Sequence, residues 1–236
     1  MIKMMILAPR RPGLSHSAFR HYVTDVHGPL VKSVEEVAAD IRGYHYNFPI
    51  VGATDDAFHR PIAPFDIFTQ AWFDSIQAQV DNMKHKRYLE IVRPDEGRFA
   101  HEARARFHYT NEVDVIPGPR GDRKVFYVRR RRPDLSRSEF QKLWRERFPK
   151  AFEGSTLAKS VIKRYVQNQT AAEADHPDGT NCRYFDLIDE FAVTGPGAWG
   201  SLAADPALIA RVEAVEHELL DTDRTWSFFA ETVVNI

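Results

Sequence analysis

The stretch FRHYVTDVHGPLV (residues 19–31) puts an imidazole, a phenol and a carboxylate where a helix runs into His-Gly-Pro. Phe19, Tyr22, Val23, Val26 and Leu30 follow the i, i+3, i+4, i+7 spacing of a helix with one buried face. Pro29 lacks an N–H and its ring clashes with the preceding turn, so the helix is expected to kink or stop there. Gly28 permits backbone angles that other residues avoid. His27 lies four residues after Val23 and eight after Phe19, which keeps it on the buried face at that break. An unpartnered buried polar group is costly, so His27 needs a partner or a task. Two readings stay open. His27 is a core histidine bonded to a backbone carbonyl, or it is an acid/base: imidazole titrates near neutrality, and burial favours the neutral, proton-accepting form. Asp25 either orients His27 or faces solvent; solvent is preferred, because aspartate is rarely buried unpaired.

Further candidates surround it. Tyr44 and Tyr46 sit two apart on an expected strand and share a face, with His45 and Asn47 on the other. A phenol can polarise a substrate carbonyl or donate a proton, so Tyr44 and Tyr46 are candidate catalytic groups and Tyr22 a substrate contact; each also suits a core. Phe68, Trp72 and His108 are expected to line the same cavity. Arg10, next to Arg11 in a turn, is a candidate clamp for a substrate carboxylate. The matching run Arg129–Arg132 reads as a solvated turn. No metal set emerges: His16, His21 and His27 do not stack on one helical face, and HExxH and CxxC are absent from the sequence. GPGAWG (195–200) lacks a phosphate-loop pattern, and GxSxG is missing.

These residues sit in a chain that reads as written twice. At an offset of 121, KMMILAPRRPGLSHSAFRHY falls on KVFYVRRRRPDLSRSEFQKL, and IRGYHYN falls on IKRYVQN. FDIF (65–68) meets FDLI (185–188) at an offset of 120, and Glu112 meets Glu231 at 119. Such drift is what loop insertions produce in a tandem duplication. The expected units are residues 1–116 and 124–236, with 117–123 as a Pro/Gly linker. Each reads β-α-β-β-α-β: in the first copy, strands at 3–9, about 42–50, 65–73 and 106–115. Helices are expected from Ser15, near 74–90 and around 95–105. Ser15 is an N-cap candidate, and Ser136-x-x-Glu139 has the capping-box spacing. The fold class is α+β: two ferredoxin-like units packed sheet to sheet as a pseudo-dimeric α/β barrel. His27 falls on Phe148 of the second copy, where a phenyl ring fills the position.

Bulk properties exclude several classes. A net charge of −1 gives no reason to expect nucleic acid or an anionic membrane. The single cysteine, Cys182, rules out an internal disulfide and points to a reducing, cytoplasmic setting. No apolar run approaches the ~20 residues that span a bilayer, and MIKMMILAPRR reads as a first strand rather than a signal peptide.

The run Phe19-x-x-Tyr22-x-x-x-x-His27-Gly28-Pro29-Leu30-Val31, after RRPGLS, resembles the EthD-domain family of the dimeric α/β-barrel superfamily. IKRYVQNQ (162–169) is similar to that family's second-strand signature, and the Glu-bearing last strands fit it. The resemblance implies a pocket between sheet and helices, no cofactor, and a histidine of the HGP motif as acid/base, which carries over to His27 alone. The implied activity is a lyase (dehydratase or decarboxylase) or proton-transfer isomerase on a hydrophobic aromatic or polyketide-like substrate. A cofactor-free monooxygenase and a non-catalytic binding protein are the alternatives. The expected partner is that small substrate, with monomer or homodimer of the fused pair left open.

Overall fold

The computed structural model describes residues 1–50, 52–53, 56–171 and 185–236; Cys182 lies outside them. The described residues form eight strands with helices in the β-α-β-β-α-β order of each half: β1 (Ile2–Ala8), β2 (Gly43–Pro49), β3 (Ile67–Phe73), β4 (Arg106–Ile116), β5 (Arg123–Arg129), β6 (Ile162–Thr170), β7 (Leu187–Val193) and β8 (Trp226–Val234). They pair antiparallel in the order β1-β3-β2-β8-β5-β7-β6-β4 and close into one barrel. The expected barrel is present, but its sheets do more than pack face to face: their edges fuse, because β2 pairs with β8 (Phe48 opposite Glu231) and β4 with β6 (Thr110 opposite Thr170). Closure removes the edge strands that an open sheet would expose.

The strands read as continuous apolar runs because both faces are covered. In β1, Met5 and Leu7 join Phe68, Phe126, Val128, Ile188 and Phe228 in a core inside the barrel. Ile2 and Met4 point outward onto the helices. One end of the interior is polar. Lys3 Nζ reaches Glu190 at 2.6 Å, Asn168 at 2.8 Å and Glu112 at 3.1 Å. Lys124 Nζ lies 2.7 Å from the other oxygen of Glu190. Each buried charge is thus paired.

The outer helices follow their caps. Ser15 accepts from the Ala18 N–H and opens α1 (His16–His21), and Ser136 does the same for Glu139 at the start of α6 (Arg137–Arg147). The predicted break at Pro29 does not occur. The helix widens into a π segment (Tyr22–His27) and continues as α2 (Gly28–Ser33). The wider turn moves Val26 outward, 41% exposed, and leaves Phe19, Val23, His27 and Val31 buried at intervals of four. Gly28 keeps ordinary helical angles; a Cβ there would come within 2.8 Å of Asn235 Oδ1, so its value is space. A short α3 (Glu35–Ala38) leads into β2.

The second helical region also differs from expectation. It is α4 (Ile76–Lys84), a second π segment (Tyr88–Val92) and α5 (Arg93–Phe99), not separate helices at 74–90 and 95–105. The second half carries α7 (Thr156–Val161), α8 (Pro196–Gly200) and α9 (Pro206–Leu219). Among the described residues no helix is long and apolar enough to cross a membrane.

Candidate functional site

A cavity of about 250 Å³ lies between the outer face of the first-half sheet and its helices. The sheet supplies Ile6 and Ala8 from β1, Tyr44 and Tyr46 from β2, and Ile67 and Thr69 from β3. The helices supply Val23, Met83, Tyr88, Arg93, Glu96 and Phe99. Most of the lining is apolar or phenolic, which suits a flat hydrophobic ligand.

The two expected tyrosines are brought together. Their ring centroids are 4.9 Å apart, edge to face. Burial pushes both phenols well above the usual range, so both stay protonated donors. Tyr46 also faces Asn235 at 3.5 Å.

His27 is 3% exposed, and its Nδ1 lies 3.0 Å from Asp95 Oδ2. The Tyr22 hydroxyl donates to the other oxygen of Asp95. A carboxylate only accepts, so Nδ1 carries the imidazole proton and Nε2 holds the lone pair. Among the described residues Nε2 has no hydrogen-bond partner. Burial lowers the imidazole pKa, against the opposing pull of Asp95, which favours the neutral form. The His27 and Phe99 ring centroids are 4.6 Å apart, and Phe99 forms part of the cavity wall. His27 and Tyr22 therefore stand behind that wall. Both π segments flank this site, one bearing Tyr22 and His27, the other Tyr88. π-Bulges concentrate at such places because they re-aim a side chain.

Asp95 was missing from the sequence reading, which weighed only Asp25. Asp25 faces solvent and pairs with His21 at 2.5 Å. The spacing of Asp95 from Val92 and Phe99, three and four residues, puts it on the buried face and was the available signal. Glu96 was missed as well. Its carboxyl receives the Tyr88 hydroxyl at 2.8 Å and Arg93 at 3.1 Å.

Besides Tyr22, which stands behind the wall, four more expected contacts lie outside the cavity lining. Phe68, Trp72 and His108 point into the barrel, not the cavity, because strand alternation hands the cavity to Ile67, Thr69 and Phe107. Phe68 stacks on Phe228 with centroids 4.1 Å apart. Trp72 donates to Glu112 at 2.8 Å, and His108 Nε2 is 3.0 Å from the Thr170 hydroxyl. Arg10 is no clamp: its N–H meets Asp66 at 2.8 Å, its Nε bonds the Leu14 carbonyl, and its guanidinium pairs with Asp66. Arg131 repeats this with Asp186 and Leu135. Arg129, expected in a solvated turn, is fully buried.

The EthD domain profile matches residues 11–103, the segment that carries Tyr22, His27, Tyr44, Tyr46, Asp95 and Glu96. A conidial pigment biosynthesis dehydratase, EthD, of Metarhizium robertsii is 28% identical over 113 residues, covering 44% of this chain and 78% of that protein. An anthrone oxidase-like protein shares the fold, with a TM-score of 0.57 at 12% identity over 99% of this chain and 92% of that one. A Fusobacterium nucleatum protein assigned as a monooxygenase gives 0.57 at 8% identity, over 99% and 93%. These structures share the barrel fold of this chain. Residues 11–103 thus match the EthD domain, and over this segment the chain is similar to the EthD-domain family.

Proposed function

We propose that the chain is a lyase or proton-transfer isomerase acting on a hydrophobic, aromatic or polyketide-like molecule in the first-half cavity. The observation that carries the reading is the buried His27–Asp95 pair behind a wall of phenols and apolar side chains. Nε2 takes a proton from carbon, Asp95 fixes the tautomer and offsets the imidazolium that forms, and Tyr44 or Tyr46 donates to the substrate carbonyl. This role requires the Phe99 ring, which packs on His27 and forms part of the cavity wall, to turn aside. A relative named as a dehydratase supports loss of water as the favoured step.

The chain is further read as two ferredoxin-like units, residues 1–116 and 124–236, joined by 117–123, with the second as a built-in partner. Support comes from the repeated strand order round the barrel, β4-β1-β3-β2 then β8-β5-β7-β6, and from the repeated Arg–Asp turn.

The test is a mass-spectrometric turnover screen of wild type and His27→Ala against phenolic and polyketide-like compounds, in air and under argon. A product lighter by water or carbon dioxide, formed under argon and lost in the variant, supports the lyase. Oxygen gain in air alone moves the protein to the monooxygenase class that one fold neighbour is named for. Binding without turnover leaves a carrier protein.

A further inference from the structure

The proposed elimination needs two proton carriers, and His27 supplies only one. Loss of water breaks a C–H bond and a C–O bond, so a leaving hydroxyl must be protonated as the base takes its proton. Phenols pushed far above neutrality are poor acids for that step. Within the cavity wall stands a second carboxyl. Glu96 is 28% exposed and lines the cavity beside Tyr44 and Tyr88. It follows Asp95 directly in α5. Neighbours on a helix point about 100° apart, so Asp95 turns to His27 while Glu96 turns to the cavity.

Its surroundings hold it and leave it short of positive charge. Tyr88, on the π segment, donates to Oε1 at 2.8 Å. Arg93, in its own helix, lies 3.1 Å from Oε2 but also pairs with Glu102. Tyr44 faces it from β2. One guanidinium serves two carboxyls, and Glu102 is the more exposed, at 46%, so it keeps its charge in water more cheaply. Burial pushes the Glu96 carboxyl up, against the opposing Tyr88 and Arg93 bonds, and Glu102 adds to the rise.

We infer that Glu96 is the general acid of this cavity, giving its proton to the leaving oxygen of a β-hydroxy carbonyl substrate while His27 takes the proton from carbon. The C–H electron pair becomes the new double bond, the C–O pair leaves with oxygen, and that oxygen departs as water with the Glu96 proton. His27 ends protonated and Glu96 ionised; return of the proton through solvent restores both. Tyr88 and Arg93 are positioning residues. The inference rests on the lyase reading of this cavity.

Two measurements on the full chain test it. Difference infrared spectra of wild type against Glu96→Gln should show a protonated carboxyl that titrates above the ordinary glutamate range of about 4.3. A carboxyl titrating within that range overturns the inference whatever the activity. The second uses the aldol adduct of acetone and hydroxybenzaldehyde as probe, followed by the absorbance of its dehydrated product. Glu96→Gln should lower kcat about 100-fold or more with KM within a few-fold, and should remove the alkaline limb of the kcat profile. His27→Asn should lower kcat and remove the acid limb instead. Tyr88→Phe should shift the alkaline limb while keeping most of kcat. Loss with His27→Asn but wild-type turnover with Glu96→Gln overturns Glu96 alone. A wild type inert toward the probe overturns the lyase reading and this one with it.

Discussion

Beside β1 the space between sheet and helices is hollow; beside β5 it is solid. The ladders make the comparison position by position. Ile6 faces Thr69 and Ala8 faces Ile67 across β1 and β3; at the same places Tyr127 faces Asp189 and Arg129 faces Leu187 across β5 and β7. Ile6, Ala8, Val23 and Thr69 all line the cavity. Their counterparts Tyr127, Arg129, Trp144 and Asp189 are all fully buried. Arg129 Nε meets Asp189 at 3.0 Å, its Nη1 meets Glu216 at 2.5 Å, and its guanidinium lies 4.4 Å from the Tyr127 ring centre. Trp144 stacks on Phe148, the counterpart of His27, at 4.1 Å. The bridges Arg10–Ala100 and Arg131–Leu220 align Glu96 with Glu216. One glutamate lines a cavity; the other sits between Arg129 and Arg60. A cavity in this frame thus depends on four small or medium side chains, and filling it with a cation obliges the chain to bury carboxylates around that cation.

The largest break in this comparison is Arg129→Ala. It leaves Asp189 without its cation and opens a void among aromatic rings. Removing one member of such a buried set costs about 3–5 kcal/mol, which urea unfolding would report. A loss under about 1 kcal/mol would mean that the solid half does not depend on its ion pairs.

Next comes the contrast between two buried histidines. His27 has Asp95 to offset its charge. His45 points into the barrel toward Lys124, Arg120 and Lys3, and its Nδ1 has no partner. Burial, then those cations, pushes its pKa down to about 4. The unfolded imidazole titrates near 6.5. Below that pH the unfolded state takes up a proton that the folded one refuses. Stability is therefore full above about pH 6.5 and falls as pH drops toward about 4, by about 3 kcal/mol from this group. His27 is lowered too and loses stability in the same direction. Urea midpoints across that range should flatten in His45→Asn relative to wild type; an unchanged slope would remove His45 from the account.

Ala8→Leu moves the hollow half one step toward the solid one. The added methylenes enter the cavity, where the second half holds Arg129. Affinity for an anilinonaphthalene dye should fall about tenfold, or about 1.4 kcal/mol, with no loss of folding stability. Unchanged dye binding would place the ligand elsewhere.

How much of this was legible in the sequence follows from what each feature depends on. Strand alternation and capping serines are local, so the eight strands and the starts of the first helices could be read directly. The facing of Tyr44 and Tyr46 was readable as a shared face. Which face looked outward in β3 and β4 was not, because both faces of a closed barrel are apolar and Phe68 and Trp72 look no more internal than Ile67 and Thr69. The π segments were illegible because a proline after a helix signals a stop, whereas here the chain widens by one residue and continues. Asp95 and Glu96 were lost for the same reason. The second helical region was divided at the wrong place, so their faces were never assigned.

The smallest effect tests what the two halves share rather than where they differ. Ser15 and Ser136 each open the first helix of their half, accepting the N–H three residues on at 3.1 and 3.2 Å. Each is followed by a Ser hydroxyl in contact with the first, Ser17 and Ser138. Each stands just beyond an arginine locked to an aspartate of the next strand pair. Such a cap is worth about 1 kcal/mol. Ser15→Ala and Ser136→Ala should therefore cost about that much apiece in urea unfolding. Because the sites are far apart and share no partner, the double variant should lose about the sum. Ser15→Ala should also leave the cavity's dye affinity near wild type, since the π segment rather than the cap aims Tyr22 and His27. A cap variant that lost stability in one half but not the other would show that the helices are held differently. The hollow would then come from a looser frame, not from four side chains.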